Sequence, residues 1–220
     1  MLEYSLSALP EWVKAQGTWG TDCVLRLAPE TAAAGQRGQF KFHLTHKGGS
    51  RAYTGIQITL ACRAGALTRG LGGDGHQVEF GPRTSGHFDL RLWRQSRVQV
   101  GADTTSNGVR IVCNQSEVLI GEDCMFSDEI VLQSADQHPI IDLKEGKVIN
   151  NVRRRMVLAD HVWVGRCATL LPDVQIGRGA IIGAGAIVSR DVPATSVAVG
   201  VPESVPSEAT ASQAGPETLL

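Results

Sequence analysis

LADHVWVGRCATLLPDVQIGRGAIIGAGAIVSRDVP, residues 158–193, places an aliphatic residue at every sixth position: Leu158, Val164, Leu170, Ile176, Ile182 and Val188. A helix repeats its apolar positions near 3.6 residues and a half-buried strand near 2, so a period of six fits neither. It is the signature of a hexapeptide parallel β-helix, in which each unit makes one short flat strand and one corner, and three units close a triangular coil. The residue four places after each aliphatic is also small or branched: Val162, Ala168, Val174, Ala180, Ala186 and Val192. Gly165, Gly177 and Gly183 follow the aliphatic directly, and the expectation is that they turn the corners with positive φ.

Outward from this stretch the register loosens. Ile120, Phe126 and Leu132 keep it, whereas between 56 and 100 only pairs recur (Ile56 and Ile58, Val78 and Phe80, Leu90 and Leu92, Val98 and Val100), as in irregular early coils. Residues 1–55 show no sixfold register and are assigned to an N-terminal cap, with a short helix over Pro10–Gln16 stopped at Gly17. Residues 56–206 are assigned to the β-helix domain. The polar segment 207–220 has too few large apolar residues to pack and is expected to be a disordered tail. The fold class is therefore all-β.

Composition agrees. The 220 residues carry a formal charge of −1, which excludes bulk electrostatic attraction to nucleic acid. Aromatics make up only 5%, which suits a narrow stacked interior. The five cysteines include no Cys-x-x-Cys pair and read as reduced thiols of a cytoplasmic protein. No run approaches the length of a membrane span.

The register breaks once. Leu132 and Leu158 are 26 residues apart where one coil takes 18, so about eight residues leave the wall as a polar loop at about 139–156. A solenoid wall does no chemistry, and interruptions are where functional side chains collect. His138 stands here, followed by Pro139. Removing eight residues from the 25 that separate His138 and Trp163 leaves 17, which would stack the two about one coil apart.

The order of motifs, Ile120-Gly121-Glu122-Asp123 to Ser127, Asp136-x-His138-Pro139-Ile140, Asp160-His161-Val162-Trp163-Val164-Gly165 and Ile182-Gly183-Ala184-Gly185, resembles the left-handed β-helix hexapeptide-repeat acyltransferases. Within them it looks most like the branch that O-acetylates capsular and surface polysaccharides, including polysialic acid. The resemblance covers about residues 98–203. It implies a homotrimer, acetyl-CoA in a groove between neighbouring prisms, a sugar or polysaccharide acceptor, no resident metal, and His138 as the general base. Trp163 would line the groove or pack across the interface, beside Gly165, and its indole N–H or a backbone amide would meet the oxyanion. Asp136 would orient the imidazole or stand as a solvated carboxylate. Gly183 and Gly185 would admit the pantetheine arm, and Arg178 and Arg190 its phosphates, unless they serve only solubility. The chain ends its motif as Gly200-Val201-Pro202-Glu203-Ser204, where the family has Ala and then a basic residue after the proline, which shifts weight to Arg190. Asn107 and Asn114 are candidates to hold the acceptor or its base. Arg153 and Arg154, within Arg153-Arg154-Arg155, would steer an anionic acceptor or form a solvated face. His161 is expected at a corner, toward solvent or a neighbouring chain.

Two other classes compete. An amino-sugar N-acetyltransferase shares the chemistry, and a non-catalytic β-helix scaffold shares the fold. A zinc enzyme of the γ-carbonic-anhydrase type needs converging imidazoles. The histidines lack that family's four-residue separation.

Overall fold

The computed structural model describes residues 1–46, 51–202 and 204–208. The chain winds as a left-handed parallel β-helix whose strands stack into long ladders. On the first face, Val24–Leu27, Gln57–Leu60, Gln77–Phe80, Arg97–Val100, Ser116–Ile120, Arg154–Leu158 and Gln175–Ile176 pair in parallel. Leu2–Ser5 closes one edge of this face antiparallel to Val24–Leu27, and Ser204–Glu208 closes the far end of the other sheet against Ser196–Val199. Antiparallel end strands use up the edge groups that a parallel stack would leave open.

The remaining two faces begin as one. Phe40–His46, Ala64–Gly72, Ser85–Trp93 and Thr105–Asn114 are long strands, and Thr105–Asn114 pairs with both Met125–Phe126 and Ile130–Gln133. From there the second face carries Trp163–Val164 and Ile181–Ile182, and the third Thr169–Leu170 and Ile187–Val188. Early coils are also longer. Ile58, Val78, Val98 and Val118 are stacked partners twenty residues apart, whereas Leu158 and Ile176 are eighteen apart. Two extra residues per coil explain why no sixfold register reads through this half.

The expected aliphatics and small residues all face inward, from Leu158, Val164 and Leu170 to Val162, Ala168 and Val192, each at most 2% exposed. Other expectations are corrected. Residues 1–55 are not a separate cap, because Val13–Gln16 and Val24–Leu27 already pair in parallel with the following coils. Pro10–Gln16 is not a helix: its second half is strand Val13–Gln16. The helix lies at Pro29–Gln36, where Pro29 fits the first turn and an insertion leaves the wall. Positive φ falls not on Gly165, Gly177 and Gly183 but two residues later in each unit, at Cys167 (58°), Gly179 (68°) and Gly185 (70°), and at the equivalent His161 (62°) and Asp173 (67°). Gly165 answers a different demand. A Cβ there would lie 2.7 Å from the Ala184 nitrogen of the next coil. Ser207 and Glu208 of the expected tail belong to the closing strand, and residues 209–220 lie outside the described residues.

The interruption is larger than expected. Ile120 stacks on Leu158, 38 residues on, so twenty residues leave the coil rather than eight. Leu132 and Leu158 were the wrong pair to compare, because they occupy successive faces and would be six apart in an unbroken prism. Arg154–Met156 are wall, not loop. The extrusion folds back on itself: Ile141 bridges Val148 antiparallel, Ile149 N–H donates to Ile140 O (2.9 Å), and Asp142 Oδ1 accepts from the amides of Lys144 (2.7 Å) and Glu145 (3.0 Å). Nor is it simply polar. Ile140, Ile141, Leu143, Val148, Ile149 and Val152 are all exposed, Leu143 at 97%. No helix among the described residues is long and apolar enough to cross a membrane.

Because the inward column carries the stability, Leu132→Ala should cost about 2–5 kcal/mol through the cavity it leaves. Leu143→Ser, on the exposed loop, should stay within about 0.5 kcal/mol. Urea unfolding of the two variants checks the contrast.

Candidate active site

The extrusion leaves the prism at the vertex between the third and first faces, and a cavity of about 640 Å³ opens there. Its lining comes from three coils: Trp93 and Arg94, Asn114 and Gln115, then Ala135 to Pro139 with the returning arm of the loop. Gly72, Trp93 and Asn114 are stacked partners at the end of the third face. Gly72 is small because a Cβ would come 2.8 Å from the Trp93 indole nitrogen.

Hydrogen bonds tie this floor to the loop root. Arg94 Nε donates to Asn114 Oδ1 (2.8 Å), and Asn114 Nδ2 donates to the Asp136 carbonyl (2.9 Å). Asn114 therefore positions the loop that carries His138. Below it the buried Ser116 and Ser134 hydroxyls meet at 2.7 Å, and Ser134 Oγ donates to Val112 O (2.9 Å), which fixes the departure point. Asn150 joins the two arms. Its Nδ2 donates to His138 O (2.8 Å) and Asp136 Oδ2 (3.1 Å), while its Oδ1 accepts from Ile140 N–H (2.8 Å).

The His138 side chain is exposed on the cavity wall and, among the described residues, its ring makes no hydrogen bond. Asp136 does not orient it. That carboxylate faces Asn150 and Arg154, whose guanidinium lies 3.6 Å away and also pairs with Asp173. Arg153 is turned to the first face, where it donates to Glu117 Oε1 (2.8 Å), and Arg155 lies 3.9 Å from the same carboxylate. The basic triplet is thus largely neutralised in place, and Arg94 is the guanidinium that lines the cavity.

Trp163 does not stack near His138. With twenty residues extruded, its in-register neighbours are Met125 and Ile181 on the second face, opposite the vertex from which His138 emerges. It is 43% exposed there. Gly165 and Gly183 follow it on adjacent coils, joined by Gly165 N–H to Ile182 O (2.7 Å), and Gly185 sits at the next corner. Arg178, at the vertex between first and second faces, lies 3.6 Å from Asp160. Arg190 is exposed at the vertex on the far side of the third face. Asn107 occupies the irregularity between Ser106 and Val109, exposed and away from the cavity. His161 is at a corner as expected, half-buried, with Nδ1 2.9 Å from Asp123 Oδ2.

Comparison with known proteins agrees with this architecture. Residues 155–190 match the family model described as bacterial transferase hexapeptide (six repeats). The crystal structure of the polySia specific acetyltransferase NeuO superposes with a TM-score of 0.73 at 25% identity, covering 94% of this chain and 91% of that one. In fold the chain is a left-handed β-helix similar to that polySia specific acetyltransferase, with the hexapeptide repeat matched over residues 155–190. The chain is 34% identical over 118 residues to the polysialic acid O-acetyltransferase of Escherichia coli O1:K1, across 53% of its own length and 38% of that relative's. It is 29% identical over 106 residues to the galactoside O-acetyltransferase of Lactococcus lactis, across 48% and 50%. It thus spans half or less of the length of these curated relatives. The polysialic acid O-acetyltransferase OatWY shares the fold at a TM-score of 0.59 and 17% identity.

Sequence reading missed Trp93, Arg94 and Asn150. The first two were within reach, since Gly72, Trp93 and Asn114 recur every 21 residues. Asn150 gave no linear signal, because its partners lie across a hairpin. Asn150→Ala should loosen the loop root, raising amide hydrogen exchange across 138–149 at least about tenfold, equivalent to losing ~1.4 kcal/mol of local stability. Exchange in the prism strands should be unchanged.

Proposed function

We propose that this chain transfers an acetyl group from acetyl-CoA to a hydroxyl of a sugar or surface polysaccharide. The observation that carries the reading is a histidine-lined cavity at the extrusion of a hexapeptide prism whose like-folded relatives are named for sugar O-acetylation.

In this reading the acceptor rests in the cavity, its ring against Trp93, with Arg94 available to an acidic substituent. The His138 imidazole takes the hydroxyl proton as the acceptor oxygen attacks the thioester carbonyl. The tetrahedral intermediate then expels the thiolate of coenzyme A, which receives the proton from the imidazolium. Carbon–oxygen bond formation and carbon–sulfur cleavage balance with no acyl-enzyme. Asn150 and Asn114 hold the backbone on which His138 is presented, so the imidazole need not be steered by Asp136.

The donor side belongs to another copy. His138 and Trp163 lie on opposite sides of one prism, so a site that uses both is assembled from two chains, as in a homotrimer. Trp163 and the exposed apolar loop residues supply surface for that contact. Trp163, Gly165, Gly183 and Gly185 form the wall against which the pantetheine arm would lie, and Arg178 and Arg190 are the cations available to the phosphates.

His138→Ala should lower kcat for thiol release from acetyl-CoA by about 10²–10⁴ with a sugar-polymer acceptor, leaving the fold intact. Unchanged turnover would remove His138 as the base. Absence of acetyl-CoA binding by the native protein would favour a scaffold.

A further inference from the structure

The third-face column that runs inside the prism is aliphatic coil after coil: Leu44, Leu90, Ile111, Leu132 and Leu170 are stacked members. Between Leu44 and Leu90 it carries Arg69, which is 0% exposed. Its Nε and both terminal nitrogens have no hydrogen-bond partner among the described residues. A buried unpaired guanidinium costs several kcal/mol, and truncation to neutrality is not open to it: burial lowers its pKa only to about 9. It stays charged at neutral pH.

One other buried side-chain nitrogen is unpartnered among the described residues, Nε2 of His76. Ser96 N–H donates to His76 Nδ1 (3.2 Å), so the ring proton sits on Nε2 and that atom too is a donor. Burial first, then the nearby Arg69 charge, hold this imidazole down to about 4, hence neutral. The acid whose charge reaches His76, Asp74, gives its carboxylate to Arg51 (2.8 Å) and to the Thr54 amide (3.0 Å). The unmatched side-chain atoms are therefore all donors, and the Arg69 charge is near enough to act on the His76 ring.

The geometry points to a structural anion site inside the prism, where a small monovalent anion of halide size is held by the Arg69 guanidinium and the His76 Nε2–H. An anion only accepts hydrogen bonds and neutralises the charge. Water beside Arg69 would leave the charge uncompensated.

Arg69→Leu restores the residue type that Leu44 and Leu90 supply in the same column, so that variant is compatible with the fold. Two measurements test the site. Crystals of the native protein grown in sodium bromide should show an anomalous peak against the Arg69 guanidinium. Replacing gluconate by chloride at constant ionic strength should raise the native Tm by about 3 °C or more per tenfold chloride above the dissociation constant, and leave Arg69→Leu unmoved. Ordered water alone beside Arg69, or the same chloride response in both proteins, overturns the proposal.

Discussion

The parallel ladder constrains everything else in this molecule. Each coil must return the chain to the same three inward columns, because the strand amides bond to the coils above and below and each large inward side chain packs on its counterparts there. A coil can reach that condition with eighteen residues or with twenty. It can also lose twenty residues outward and resume in register, as between Ile120 and Leu158. Any excursion is tolerated provided its two ends meet at a vertex. The vertex after Gln133 meets this demand with Ser116, Ser134 and Asn114 below and Asn150 above.

Legibility in the sequence followed from this constraint. The eighteen-residue coils from Leu158 to Val188 were readable because every large aliphatic and every small corner residue obeys one spacing, and all of them are buried. The early coils were obscured by a change of period, although Leu60, Phe80, Val100 and Ile120 keep a strict interval of twenty. The site was half legible. His138, singled out at the interruption, lines the cavity, and so does Asn114, a candidate from the coil before. Trp163 does not, because twenty residues rather than eight leave the coil, which puts it on the second face over Met125. Asp136 pairs with Arg154 and Asn150 instead of the imidazole, a choice made by tertiary contacts that no local spacing encodes.

The same geometry separates two kinds of departure from regularity. At the vertex, departures are solvent-facing and polar, and they form a cavity with a histidine, a tryptophan and a guanidinium. Inside the column, Arg69 departs with no side-chain or backbone partner among the described residues. The first is where acceptor chemistry is proposed, and the second concerns stability alone. The opposed placement of His138 and Trp163 then has one consequence for the proposed reaction: no single chain can bring both to the same acetyl group.

That claim is tested most directly by subunit complementation. His138→Ala and Trp163→Ala chains, each inactive alone, are unfolded together and reassembled, and acetyl transfer to the polymer is assayed. Mixed assemblies should regain a substantial fraction of native activity, because some interfaces then pair an intact His138 with an intact Trp163 from different chains. Activity no greater than that of the separate variants, in assemblies proven to be mixed, would contradict a site shared between chains.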